Sequence, residues 1–378
     1  MSDTDALLAE LVAIDSVNPD LVPGAAGEGR ICAFVADWLR ARGLEVTIQE
    51  TNRPGRPNVI AVARGTGGGR SLLLNSHVDT VGVAGMATPF QPEVRGGRLH
   101  GRGAMDTKGA LAAFMSAAAA ARGKRLRGDV IVTAVVDEEY ASAGTEAVVR
   151  SWKADAAIVG EPTGLEIVTE HKGFAWFRIE TSGVAAHGSL PDIGVDAIAK
   201  MGRVLVALEE AGAALRRGPA HHSLGTGSLH ASLVRGGQEL SSYPASCILD
   251  IERRTIPGED VDEIERGLRS LLDGCAAQDP GFKARVSRTF VRHPMEAGRV
   301  TPIAVELARQ VRIITGRDAV FAVMGGWLDS ALLSAAGIPT VVLGPFGEGL
   351  HGVTEWVDLA SVRACRDIVL GAIEAFCT

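Results

Sequence analysis

Cysteine is scarce in this chain: five residues in 378, Cys32, Cys247, Cys275, Cys365 and Cys377, with no C-x-x-C pair. That excludes a thiolate metal site and argues for reduced, scattered thiols over a disulfide frame. Positive charge is also short. With 38 Lys and Arg against 45 Asp and Glu, the formal net charge is -7, and there is no basic stripe to neutralise phosphates, so a nucleic-acid partner is excluded. The one basic run, Arg122–Gly128, reads as a solvated turn between a helix and a strand. No apolar stretch reaches the ~20 residues that span a bilayer, and the alanine-rich Leu111–Ala121 has charge close to both ends. The amino terminus, MSDTDALLAELVAI, lacks the basic start and long apolar core of an export signal, which predicts a cytoplasmic protein without a membrane partner. Repeats and low-complexity linkers are missing too.

What is present is an alternation of two periods. Helical spacing over Asp5–Ile14 and Gly29–Arg42 is followed by strands at Glu45–Gln49, Asn58–Ala63 and Ser71–Asn75. A helix starting close to Asp106, the strand DVIVTAVVDEE, a short helix to Trp152 and the strand ADAAIVGEP continue the series. Such alternation predicts an α/β fold, a mostly parallel sheet with helices on both faces. Around Gly173 the order changes to β-α-β-β-α-β, ending in a strand at Phe282–Val291, the split βαβ arrangement of a ferredoxin-like α+β domain. After His293 the first grammar returns. The expected organisation is therefore residues 1–172 and 293–378 as one discontinuous domain, with residues 173–292 inserted.

In an open α/β sheet, ligands gather beyond the carboxyl ends of the strands. His77 and Asp79 end one strand and share a face; Asp137, Glu138 and Glu139 end another, Glu161 a third, while Asp106 starts a helix and His351 lies in a late loop. So many carboxylates at one rim would repel one another unless a cation neutralised them. Two imidazoles and several carboxylates, with no thiolate, suit zinc, cobalt or manganese. A carboxylate beside such ions supplies the general base for metal-assisted hydrolysis, and the adjacent Glu138 and Glu139 point to opposite sides, so one can bind metal while its neighbour faces substrate or water. Each feature alone has an ordinary reading: Asp106 as a helix N-cap, Glu161 as a loop entry, His351 as a turn residue. His171, His221, His222 and His293 have no acidic company at useful spacing and read as surface or packing residues, and His100, close to the site in sequence, matches no ligand position. The GTGGG run opens no helix and reads as a turn, not a phosphate cradle.

Six segments in register, HVDTV, GRGAMDTKG, VVDEEYASAGT, VGEPTG, AAHGSLPDIGVDAI and GPFGEGLHGVTEWV, resemble the zinc metallopeptidase and deacylase family of acetylornithine deacetylase, succinyl-diaminopimelate desuccinylase and glutamate carboxypeptidase. The resemblance spans almost the whole chain, insertion included. It implies two divalent ions per subunit, one held by His77 and Glu161, the other by Glu139 and His351, with Asp106 bridging and a cis peptide at Asp106–Thr107. Asp79 would orient His77, and Glu138 would take a proton from the bridging water and return it to the leaving amine. His187 would be lent by a partner subunit, the inserted domain serving as lid and homodimer interface. Arg254 would hold a substrate carboxylate, with Gly325 and Gly326 adding backbone donors. The expected substrate is an N-acyl amino acid; a short peptide, cleaved by a carboxypeptidase or dipeptidase, is the alternative, and a noncatalytic binding protein the alternative from another class. One departure concerns specificity: Ser241 stands where many relatives carry asparagine.

Overall fold

The computed structural model describes residues 2–378, which divide into two compact units. The first comprises the chain up to Thr169 with Ala297–Ala322 and Leu328–Thr378; the second comprises Glu170–Glu296 and Val323–Trp327.

The first unit is built on a sheet of β1 (Glu45–Gln49), β2 (Asn58–Ala63), β3 (Leu72–His77), β6 (Val130–Val135), β7 (Ala156–Val159), β8 (Ile167–His171) and β15 (Thr340–Val342), in the order β1-β2-β6-β3-β7-β15-β8. Its centre, β6-β3-β7-β15, is parallel, while β1, β2 and β8 run antiparallel to their neighbours. β2, β3, β6 and β7 are buried at every residue, which is why NVIAVA and VIVTAV read as continuous apolar runs and do not alternate. Helices α1 (Asp3–Val12), α2 (Gly29–Ala41), α3 (Gly109–Ala121), α4 (Ala143–Ser151), α7 (Pro302–Thr315), α8 (Ser330–Ala335) and α9 (Leu359–Phe376) complete it. The alanine-rich α3 is buried almost throughout; its short side chains let it pack closely against α9 in one continuous core. A small separate sheet joins β4 (Glu93–Arg95), β5 (Arg98–His100), β16 (Gly347–Glu348) and β17 (Trp356–Asp358).

One helix start differs from the sequence expectation. α3 begins at Gly109, and Ala104–Lys108 forms a π turn in which Asp106 and Thr107 are non-helical and joined by a cis peptide. Asp106 is therefore no N-cap: the N–H groups of Met105 and Asp106 go to the Glu355 carboxylate, outside the helix.

In the second unit β9 (Gly173–Ser182), α5 (Ala197–Arg217), β10 (Ser228–Gly236), β11 (Ser246–Thr255), α6 (Val261–Gln278) and β12 (Lys283–Arg292) form a β-α-β-β-α-β unit whose antiparallel sheet has the order β10-β11-β9-β12. Alternate residues Ala175, Phe177 and Ile179 of β9 and Cys247, Leu249 and Ile251 of β11 are buried against Met201, Val204 and Leu208 of α5 and Leu268 and Leu272 of α6, the period of two expected when one face is covered. β13 (Met295–Glu296) pairs with the end of β8, Met295 opposite His171 and Glu296 opposite Glu170. β14 (Phe321–Met324) also pairs with β8.

Candidate metal centre

Parallel register brings the acid-bearing ends of three strands to one edge of the first unit. His77 at the end of β3 lies opposite Val135 of β6, and Asn75 opposite Val159 of β7, so His77, Asp137–Glu139 and Glu161 all leave the sheet on its carboxyl side. Asp106 arrives on the π turn. His351 comes from the loop after β16, with a left-handed φ of 56°.

The two oxygens of Asp106 face different imidazoles: Oδ1 is 3.1 Å from His77 Nε2 and Oδ2 is 3.3 Å from His351 Nε2. His77 Nε2 is also 3.9 Å from Glu161 Oε1, and His351 Nε2 is 3.2 Å from Glu139 Oε2. Donor atoms of His77, Glu138 and Glu161 lie within 4.8 Å of one another, as do those of His77, Asp106 and Glu139. A carboxylate with one imidazole on each oxygen has the geometry of a bridge between two cation positions.

Burial and mutual charge perturb the titration of the whole cluster. Burial pushes the Glu138 carboxyl well above the ordinary range, and the charge of Glu161 adds to this. Glu161 is likewise raised by burial, against the pull of His77, and Glu139 rises to about 7 through burial and the charge of Asp106. Burial opposes charge on Asp106 as well, but hydrogen bonds from His351 and His77 hold it below the usual carboxylate range. His77 is raised despite burial by Asp106 and Asp79, and His351 to about 10 by Asp106 and Glu139. A divalent cation among these groups would offset both the burial of the carboxylates and their mutual repulsion. Oxygen and imidazole donors without thiolate fit a zinc-class divalent ion.

A second layer of contacts fixes these side chains. His77 Nδ1 lies 2.9 Å from the carbonyl of Asp79, which fixes the ring and turns Nε2 toward Asp106. The Asp79 carboxylate accepts from Asn18 Nδ2 at 2.8 Å and from the backbone N–H groups of Glu138 and Glu139 at 3.1 and 3.2 Å, so it positions both glutamates. Asp137, with φ 69°, turns the chain out of β6, and its buried carboxylate is held by Arg56 at 3.0 Å and Asn18 at 3.2 Å. Arg56 also forms a double contact with Glu28, at 2.7 and 2.6 Å. On the other side, Glu355 accepts the N–H groups of Gly103, Met105 and Asp106 and pairs with Arg102 at 2.7 Å. Arg102 in turn donates to the carbonyl of Gly352, next to His351. Asp329 does not cap α8 through its side chain; it is buried, accepts from Thr145 at 2.6 Å, and burial raises its carboxyl to about 6. Sequence reasoning missed Asn18, Arg56, Arg102 and Glu355. Glu355 and Arg102 left a signal: Glu355 shares GPFGEGLHGVTEWV with His351, and Arg102 shares GRGAMDTKG with Asp106.

The remaining candidates belong to the second unit. His187 is exposed, and its Nδ1 accepts from the backbone of Ser189 at 3.2 Å. The neighbouring Gly188 N–H donates to the carbonyl of Ser241 at 2.7 Å. Arg254 donates to Glu252 at 2.7 Å, with its guanidinium 5.2 Å from the Phe174 ring centroid. Gly325 and Gly326 are exposed, with open space where a Cβ would point.

Residues 73–375 match the family model of peptidase family M20/M25/M40. The chain belongs to that family. Among curated members, an acetylornithine deacetylase of Myxococcus xanthus is 29% identical over 397 residues, covering 100% of this chain and 99% of its own. Among solved structures, an M20 family metallo-carboxypeptidase of Sulfolobus solfataricus superposes with a TM-score of 0.81 at 16% identity, covering 100% of this chain and 99% of its own. A dinuclear metal-binding peptidase of the M20 family from Bacillus subtilis gives 0.75 at 17% identity, covering 99% and 97%. As a member of the M20 family this chain is a hydrolytic enzyme of the metallopeptidase and amidohydrolase class. Among its described residues, no helix is long and apolar enough to cross a membrane.

Proposed function

We propose that the protein is a dinuclear zinc-dependent amidohydrolase that removes the acyl group from an N-acyl amino acid, in the manner of acetylornithine deacetylase and the desuccinylases. The observation that carries this reading is the Asp106 carboxylate, shared between His77 and His351 at 3.1 and 3.3 Å. One ion would be held by His77 and Glu161, the other by Glu139 and His351, with Asp106 common to both. When bound, the ions supply Lewis-acid polarisation of water and of the scissile carbonyl. Glu138 would be the acid/base: in the His77–Glu161 half of the cluster, its carboxylate would take a proton from water, and the resulting carboxylic acid would return it to the leaving amine. Asp79 holds His77 and the Glu138 and Glu139 backbone in register.

In the second unit, His187 accepts at Nδ1, which leaves Nε2–H as a donor for the substrate carbonyl, and the planar fork of Arg254 suits the substrate carboxylate. Gly325 and Gly326 would add backbone N–H donors. A homodimer through the second unit is supported by β10, an edge strand with Leu233 54% and Val234 58% exposed, since a bare apolar edge invites pairing. The reading implies a cytoplasmic enzyme. A carboxypeptidase or dipeptidase with the same chemistry is the second reading, the activity that the M20 family metallo-carboxypeptidase of Sulfolobus solfataricus carries on this fold.

The test is chelation followed by zinc, cobalt or manganese, with a panel of N-acetyl and N-succinyl amino acids and dipeptides. Metal-dependent hydrolysis, faster on N-acyl amino acids, is expected. Faster cleavage of dipeptides would move the assignment to the second reading, and failure on the whole panel by metal-replete protein would overturn both.

A further inference from the structure

The second unit contains a group of metal-ligating side chains of its own. Glu170, near the end of β8, is 4% exposed. Its Oε2 lies 3.9 Å from His221 Nδ1 and its Oε1 lies 3.9 Å from His222 Nε2. Donor atoms from the three residues lie within 4.8 Å of one another. A separation of 3.9 Å is too long for a hydrogen bond. Two ligands of one tetrahedral zinc, with bonds of about 2.0–2.1 Å, sit about 3.4 Å apart, so a small inward movement completes the set.

Three further contacts agree with a cation here. Glu296 is the direct cross-strand partner of Glu170, and two carboxylates in that relation repel unless positive charge lies between them. The second nitrogen of His221, Nε2, is 3.4 Å from Glu296 Oε1, the carboxylate–imidazole contact that sets the tautomer of a metal-binding histidine and leaves the lone pair on Nδ1. Nδ1 faces the N–H groups of Ser223 and Leu224 at 3.5 and 3.4 Å and Ser223 Oγ at 3.1 Å, contacts that a bound ion would replace. Ser223 Oγ donates to Glu170 Oε2 and holds the carboxylate in place. The His221–Gly225 turn is closed by backbone hydrogen bonds of 2.8 and 3.2 Å, and the two imidazole centroids are 4.3 Å apart, so the ligands come from a pre-formed turn.

We propose that Glu170, His221 and His222 form an accessory site for one zinc-class divalent ion, with Glu296 orienting His221 and water completing the coordination on the exposed side of His222. The ion would tie the His221–Gly225 turn to the β8–β13 ladder. It is separate from the ions proposed for catalysis and has no part in the hydrolytic step.

The test counts zinc per chain by mass spectrometry after dialysis against buffered free zinc, for the full chain, for His222→Ala, for Glu170→Gln, and for a His77→Ala/His351→Ala chain with and without His222→Ala. His222 is exposed, so its truncation leaves the fold intact; circular dichroism checks this. Each accessory-site substitution is expected to lower the count by one whatever the catalytic cluster holds, and His222→Ala to leave turnover unchanged. In the His77→Ala/His351→Ala chain, zinc should raise the unfolding temperature, and His222→Ala should abolish that rise. A folded His222→Ala or Glu170→Gln chain that binds as many ions as the parent would overturn the site. Failure of the catalytic reading alone would change the parent count but not the difference of one.

Discussion

Replacing Glu355 by Gln should loosen the metal centre although Glu355 is no proposed ligand. One of its oxygens accepts the N–H groups of Met105 and Asp106 at 2.9 and 3.2 Å; the other accepts Gly103 N–H at 3.0 Å and Arg102 at 2.7 Å. A Gln amide has one acceptor end, so whichever way it lies, its NH2 meets two donors. Hydrogen bonds to a charged group contribute about 1.5–3 kcal/mol each, and removing one member of a buried ion pair costs about 3–5 kcal/mol because the other charge is stranded. Arg102 is 3% exposed, so that penalty applies. These terms overlap, and about 4 kcal/mol of lost stability is the expected total. Because the same carboxylate sets the backbone of Asp106, the loss of an outer partner should also weaken divalent-ion affinity about 10–100-fold. Denaturant unfolding measures the first effect and competition with a chromophoric chelator the second. A destabilisation under about 1 kcal/mol together with unchanged ion affinity would refute the role given to Glu355.

Three further outcomes follow from buried groups. Arg56→Met should cost about 3–5 kcal/mol, because Glu28 and Asp137, whose side chains are 0% exposed, lose their shared cation; adding Glu28→Gln should recover part of the loss in a double-mutant cycle, and strict additivity would count against the pairing. Burial pushes the Cys365 thiol from 9.0 up to about 12. The folded chain then keeps a proton that the unfolded chain releases, so the stabilising contribution is complete below pH 9 and is lost as pH rises toward 12, at about 1.4 kcal/mol per unit. Cys365→Ala should flatten the alkaline decline in unfolding free energy between pH 9 and 11; an unchanged slope would contradict the assignment. Since all five cysteines are buried, a thiol reagent at pH 8 should label none of them in the native protein.

The parts of the fold and site legible in the sequence are those with a local signal. An apolar run that ends in acid announces a buried strand delivering a side chain to the sheet edge, as LLLNSHVD does for His77 and VIVTAVVDEE for Glu138 and Glu139. The β-α-β-β-α-β order of the second unit is written in alternating and helical periods. Asn18 and Arg56 carry no such mark, because their partners lie far away in sequence and any polar loop residue looks the same. The start of α3 was misplaced for a related reason: the donors of Gly103, Met105 and Asp106 are satisfied by Glu355, a long-range contact. His221 and His222 read as surface or packing residues until the fold brings them beside Glu170.

The central claim is that Glu138 moves the proton while its neighbours hold two ions, and a single variant separates the two. Glu138→Gln should be measured for ions bound at the catalytic cluster and for turnover of an N-acyl amino acid that the parent cleaves. Both ions retained, with turnover slower by about 10²–10⁴-fold, is the predicted result. Turnover within about fivefold of the parent, with both ions bound, would contradict it.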